Sequence, residues 1–347
     1  MQVSEFDYFL PKKLIAQKPS DKREDSRMMV IDRKNGSISH FRFRDILKLI
    51  DPSDLIVINN SKVFPARLFG KKEVGSATIE VLLIRDIGSG VWKVFLRPAK
   101  RLKVGGKIAF EEGVLCEVLE ILPDGSRLVK FNIVGNDFYD FLFKHGKVPL
   151  PPYINGDKVG SEEFHRKRYQ TVFAKKLGSV AAPTAGLHFS EEILNEVKKM
   201  EIDICEITLH VGPGTFKPVV VEDVEKHTMD EEFYSISEEV ASKIKEHKKN
   251  GGKILAVGTT TTRTLETLAI KYGENIKGEM GFTDLFIYPP FEFKIVDKLL
   301  TNFHLPRSTL LMLVSAFAGK DLIMKAYEEA VKQRYRFYSY GDCMLIL

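Results

Sequence analysis

The chain has 347 residues, 44% hydrophobic and 29% charged, an ordinary soluble globular composition with length for about two domains. Its net charge of +5 permits an anionic partner such as RNA without requiring one. The three cysteines lie far apart with no CxxC pair, the N-terminus lacks a signal-peptide core, and the longest apolar run (309–319) is too short to span a bilayer, so a cytoplasmic protein without a disulfide framework or cysteine zinc site is expected.

Residues 1–60 mix helical and strand signals and end in "DLIVI" (54–58), a short apolar run suited to a buried strand. Then come "TIEVLLI" (78–84), "VWKVFL" (91–96), "KIAF" (107–110), "VLCEVLEI" (114–121) and "RLVKFNIV" (127–134), separated by turn signals. This spacing predicts a small antiparallel barrel or sandwich, closed by the proline-rich "VPLPPYING" (148–156). Further on, the strand runs "SVAA" (179–182), "IDICEITLHV" (202–211), "KILAV" (253–257), "DLFIY" (284–288) and "CMLIL" (343–347) alternate with helices at 191–200, 261–273 and 308–319. The pattern predicts an α/β fold: a helix-covered, largely parallel sheet with an inserted small antiparallel β-barrel. Residues 1–62 plus 153–347 form the α/β domain in this reading, and 63–152 the barrel domain.

Ligands of open α/β sheets collect beyond the carboxyl ends of the strands. The loops expected there carry Asn59 and Asn60, "PTAGLHFS" (183–190), "GPGTF" (212–216), "GTTTTR" (258–263) and "TNFHLPRS" (301–308), all rich in small, hydroxyl, amide or imidazole groups. Ser190 reads as a helix N-cap and Phe189 with Leu194 as its hydrophobic staple. His188 has no such job, and is either satisfied by a backbone carbonyl or catalytic. "VGPGTF" is a tight turn or a close ligand approach, and lacks the third glycine of a dinucleotide fingerprint. The start of the helix after Gly258 suits a carboxylate or phosphate, and Arg263 is either a bidentate carboxylate partner or a surface arginine. His210 reads by default as a core histidine. HExxH and GxSxG are absent. Basic clusters at 97–107, 166–168 and 334–340 suit RNA or simple solvation.

Together "NNSKVFPARLFG" (59–70), "RYQTVFAKKLGSVAAPTAGLHFS" (168–190), "LHVGPGTFKPV" (209–219), "AVGTTTTRTLET" (256–267) and "TNFHLPRSTLLMLVSAFAG" (301–319) make the sequence resemble the S-adenosylmethionine:tRNA ribosyltransferase-isomerase family of queuosine biosynthesis. The likeness covers nearly the whole chain. It departs at Asp230, where a histidine is common, at Pro290 and at Thr261–Thr262.

The resemblance implies an α/β part with an inserted barrel. It implies transfer and isomerisation of the ribosyl moiety of S-adenosylmethionine onto the aminomethyl group of a 7-deazaguanine at the tRNA wobble position. Epoxyqueuosine-tRNA forms, and adenine and methionine leave. S-adenosylmethionine is then a consumed co-substrate, with no resident cofactor or metal, and the chain a monomer or weak homo-oligomer. Carried onto these residues, His188, His210 and His304 are the expected proton-transfer set, with Asp284 or Glu206 orienting or protonating. Thr184, Gly186, Gly212, Gly214, Thr215, Gly258, Thr259, Thr260, Arg263, Asn59 and Asn302 are expected around the donor and the modified base. Arg97, Lys100, Arg101, Arg334 and Arg336 are expected on the tRNA. The competing classes are a non-catalytic RNA-binding protein and a small-molecule enzyme acting on the free base.

Overall fold

A computed structural model describes residues 1–347 apart from Ser76, Lys217 and Pro218, and apart from the side chains of Arg101, Asp157, Lys158, Thr215 and Phe216. The strands in chain order are β1 (Arg27–Asp32), β2 (Ser37–Arg42), β3 (Asp54–Asn59), β4 (Ser61–Val63), β5 (Arg67–Lys72), β6 (Thr78–Gly88), β7 (Val91–Arg97), β8 (Lys107–Ala109), β9 (Leu115–Ile121), β10 (Arg127–Phe131), β11 (Lys176–Ser179), β12 (Ile204–Leu209), β13 (Glu232–Ile236), β14 (Lys253–Val257), β15 (Glu279–Thr283), β16 (Lys298–Asn302) and β17 (Cys343–Ile346). The helices are α1 (Gly135–His145), α2 (Gly156–Val159), α3 (Glu162–Arg168), α4 (Glu191–Lys199), α5 (Glu238–Lys249), α6 (Thr259–Tyr272), α7 (Thr309–Ala318) and α8 (Lys320–Lys332).

"DLIVI" forms β3 at the middle of a nine-stranded sheet ordered β15-β13-β12-β3-β14-β16-β17-β1-β2. Every residue of β3 is buried, because the strand is covered on both faces. Leu55 and Val57 point into one core with α6 and α7, while Ile56 and Ile58 point into the other with α4. The sheet is α/β but mixed. Its centre, β12-β3-β14-β16, is parallel, and β13, β15 and β2 join antiparallel at the edges, as β17 does beside β16. The four central strands therefore end at one edge. From β3 the chain goes to β12 on one side and later to β14 on the other, which opens the crevice between loops that such a reversal creates.

The antiparallel barrel closes in the order β10-β7-β6-β5-β8-β9 and has its own core, in which Phe138, Phe141 and Leu142 of α1 pack on Trp92 and Phe131. Two strand expectations shift. "SVAA" contributes only Ser179 to β11, which pairs with β4 outside the main sheet; the Val180 and Ala181 N–H groups bond the Val211 carbonyl instead. "DLFIY" belongs to no strand, and the strand lies before it in β15. Leu285 is withdrawn from any ladder because its N–H donates to Thr283 Oγ1 (3.2 Å) and its carbonyl accepts from Arg263 Nε (2.9 Å). α7 and α4 start where their serines cap them: Ser308 Oγ accepts from Leu311 N–H, and Ser190 Oγ from Ile193 N–H. Among the described residues no helix is long and apolar enough to cross a membrane.

Candidate active site

At the shared strand edge lie two openings with one residue, Val211, in the wall of both. The smaller encloses about 50 Å³. Gly258, Thr259 and Thr260 line it at the start of α6, with Thr301 and Asn302 at the end of β16, His304 beyond it, and Pro183, Thr184 and Ala185 also in the wall. Gly258 has φ +92° and no side chain, so nothing caps the first N–H groups of α6 from within. A Cβ there would stand at ordinary contact distance, 3.5 Å, from Ala185 Cβ, so the positive φ and not crowding calls for glycine.

Asn302 is 3% exposed. Its Nδ2 donates to the Tyr338 carbonyl (3.0 Å) and to His188 Nε2 (3.3 Å), which fixes the amide orientation and leaves Oδ1 buried with no partner among the described residues. With Nε2 accepting, the neutral His188 ring carries its proton on Nδ1 and donates it to Ser26 Oγ (2.7 Å); Ser26 in turn donates to the Arg23 carbonyl. Burial pushes this ring down to about 3, and the Arg336 and Arg23 charges act in the same direction. His188 is thus neutral and hydrogen-bonded on both nitrogens. It lines a separate recess and holds Asn302 in place. His304 lines the small opening itself, with Nε2 3.0 Å from Thr301 Oγ1, and burial pushes it also to about 3.

The larger opening is a cleft of about 530 Å³ between the barrel and the sheet. Arg85, Asp86, Trp92, Lys93 and Phe95 face it from β6 and β7, and His210, Gly212, Asp230, Glu231 and Phe233 from the sheet. The His210 ring stacks on Phe233 (centroids 5.5 Å apart, planes 22° apart) and lies against Gly178, where a Cβ would come within 2.6 Å of Nε2. Its Nδ1 is buried without a partner among the described residues, and burial lowers its pKa to about 4. Arg85 reaches across the cleft mouth to Glu231 at 3.9 Å.

Several expected contacts have other occupations. Arg263 does pair with a carboxylate, but it is that of Glu232, both side chains being buried; Glu232 Oε1 also accepts the Gly212 N–H at 2.8 Å. This pair shapes the 212 turn, and of the two only Glu232 lines the cleft. Asn59 lines neither opening: its Oδ1 accepts from the Ser61 and Leu209 N–H groups, and Nδ2 donates to the Leu209 carbonyl and Thr260 Oγ1. Gly186 faces Phe173, whose ring atom lies 2.5 Å from a hypothetical Cβ, so its smallness serves packing. A Cβ on Gly214 would meet the Asp230 carboxylate oxygen at 2.5 Å, which the Asp230 side chain can move to relieve. Asp284 is exposed and lines neither opening. Arg97, Lys100 and Arg334 are exposed, whereas Arg336 donates to Ser20 Oγ and to the carbonyls of Lys18 and Tyr340. The side chains of Thr215 and Arg101 lie outside the described residues. Sequence reading missed the cleft residues Trp92, Asp230, Glu231 and Phe233; a visible signal was the acid-aromatic stretch "DEEFY" (230–234).

A family model described as "Queuosine biosynthesis protein" matches residues 3–346. Among curated relatives, the S-adenosylmethionine:tRNA ribosyltransferase-isomerases of Thermotoga petrophila and Thermotoga maritima are each 53% identical over 347 residues, covering all of both chains. That of Halothermothrix orenii is 51% identical over 348 residues, again with full coverage. The crystal structure of an S-adenosylmethionine tRNA ribosyltransferase from Thermotoga maritima aligns with TM-score 0.56 and 42% identity, covering 99% of this chain and 100% of that one.

Proposed function

The chain belongs to the queuosine biosynthesis protein family, and from that premise we propose where its two substrates meet and which residues move protons. Its activity is that of an S-adenosylmethionine:tRNA ribosyltransferase-isomerase. The ribosyl moiety of S-adenosylmethionine passes to the aminomethyl group of 7-aminomethyl-7-deazaguanine in tRNA, giving epoxyqueuosine with release of adenine and methionine.

The small opening takes the methionine end of the donor. Only an end fits in about 50 Å³. The uncapped N–H groups of α6 and the positive end of its dipole suit the carboxylate, and the unpartnered Asn302 Oδ1 suits the ammonium. Thr184, Thr259 and Thr260 line the same space. The barrel–sheet cleft takes the extruded base, its aromatic walls offering stacking and Asp86, Asp230 and Glu231 offering charge complementary to the aminomethyl cation. The sugar of the donor then lies near Val211, where the openings meet.

The sulfonium acidifies the ribose carbon beside it, a base removes that proton, and adenine leaves as it gains one. His210 and His304 flank the meeting point, one in each opening. Both rings are neutral near pH 7, so each begins as a proton acceptor. A ring that has taken the carbon's proton becomes the acid available to departing adenine. His188 is a positioning residue, acting through Asn302. No resident cofactor or metal enters this scheme, since the donor is consumed. Residues 1–62 with 153–347 carry the chemistry, and 63–152 face the RNA. One chain supplies both openings, which suits a monomer or weak homo-oligomer acting on tRNA in the cytoplasm.

The observation that carries the reading is the full-length family match joined to two contiguous openings of unlike lining. Its test is adenine release by the purified protein with S-adenosylmethionine and tRNA bearing the aminomethyl deazaguanine. Release requiring both substrates is expected. Turnover of the free base without tRNA, or tight tRNA binding with no adenine released, would replace the reading with one of its competitors.

A further inference from the structure

Three arginines outside the two openings converge with their guanidiniums on neutral carbonyls and a hydroxyl. Arg23 donates to the carbonyls of Leu187, Lys167 and Gln170; Arg168 to those of Ser20 and Asp21; Arg336 to Lys18 and Tyr340 and to Ser20 Oγ. None forms a side-chain ion pair among the described residues; Asp21 and Glu24, and for Arg336 the buried Asp342, act on them through charge at longer range. Neutral carbonyls order the guanidiniums of Arg23 and Arg168, and no carboxylate is hydrogen-bonded to either among the described residues. Arg23 is accordingly lowered to about 10, by burial first and by the Arg168 charge second. Between them lies a recess of about 20 Å³ lined by Ser20, Arg23, Arg168 and Tyr340. Tyr340 is 3% exposed, yet its hydroxyl has no partner among the described residues, nor does the buried Nε of Arg168.

Two cations, an unpartnered hydroxyl and an unpartnered N–H on residues that line one recess suit an anion. A volume near 20 Å³ admits about one oxygen atom. That excludes a whole metabolite and suits the tip of a group carried by a larger molecule. Ser339 lines both this recess and the small opening, so the site adjoins the reaction centre. We propose that Arg23, Arg168 and Tyr340, backed by Arg336, bind one non-bridging oxygen of a tRNA backbone phosphate beside the modified nucleotide. The proposal rests on the tRNA-modifying reading above.

The test measures tRNA affinity against salt for Tyr340→Phe and Arg168→Gln, with the donor KM measured in parallel. Tyr340→Phe removes only the hydroxyl and keeps the ring in the core; it is expected to weaken tRNA binding several-fold. Arg168→Gln is expected to weaken it about tenfold and to flatten the slope of log Kd against log salt by about 0.7–0.9, one phosphate contact. The donor KM stays within twofold in both. An unchanged tRNA Kd and salt slope in folded Tyr340→Phe and Arg168→Gln would overturn the proposal. A raised donor KM with unchanged tRNA binding would overturn it too, assigning the recess to the donor's carboxylate. Adenine release by the unsubstituted protein reports separately on the tRNA-modifying reading.

Discussion

His210 owes its place to a residue with no side chain. Its ring lies on Gly178, and a methyl group there would meet Nε2 at 2.6 Å. Gly178→Ala is therefore expected to cut the rate of adenine release about as strongly as His210→Ala, by roughly 10²-fold or more. Full activity in Gly178→Ala would take the ring's position out of the mechanism. Asn302→Ala removes a buried amide acceptor that has no partner among the described residues, and the expected result is a donor KM raised about tenfold with tRNA affinity unchanged. A KM that stays put would remove the amide from donor binding. The sequence exposed these histidines because an imidazole stands out among small residues, as His188 does in "TAGLHFS". It did not show which ring is held on both sides. That depends on Ser26 and Asn302, which are distant in sequence and meet only after folding.

Elements place those residues, and the joints between elements carry buried charge. Arg263, the fifth residue of α6, pairs with Glu232 at the start of β13, and Glu232 in turn anchors Gly212 after β12. Arg263→Leu leaves a carboxylate buried without its partner, at a cost of about 3–5 kcal/mol, to be read as a lowered urea midpoint. The pair Arg263→Leu with Glu232→Gln should recover part of that loss. No recovery would mean that the guanidinium acts mainly through Leu285 and Thr283. The exposed Arg85–Glu231 bridge across the cleft mouth is of another kind, worth no more than about 1 kcal/mol. Most elements were legible as apolar periodicity bounded by caps, as in α4, α7 and β14. "DLFIY" reads as a strand by composition, but side chains of Thr283 and Arg263 take the backbone groups of Leu285, and a local pattern cannot register that. α1 was hidden inside strand-like sequence although Phe138, Phe141 and Leu142 are spaced for one helical face.

At the scale of the molecule, the neutral buried histidines set a pH limit. His188 and His304 titrate at about 3 in the folded chain, against about 6.5 when unfolded. Between those values the unfolded chain binds more protons, so stability rises with pH across the window. It is lost as pH falls below about 6.5, by up to about 1.4 kcal/mol per pH unit for each ring. Denaturation midpoints should therefore be flat from pH 7 to 8 and fall from pH 6.5 to 5; a flat profile down to pH 5 would show that neither ring is buried neutral. The architecture, an α/β sheet carrying a barrel, was legible from the change in strand texture along the chain. The cleft was not, because it forms between two bodies whose facing surfaces, Trp92 and Phe233 among them, are far apart in sequence. The most direct test of the account is a structure of the protein with a non-reactive S-adenosylmethionine analogue and a modified anticodon stem–loop. The account predicts the analogue's carboxylate on the N-terminus of α6 beside Asn302 and the deazaguanine between barrel and sheet, with the sugar near Val211. A base bound anywhere outside that cleft, or a donor whose amino-acid end avoids α6, would contradict it.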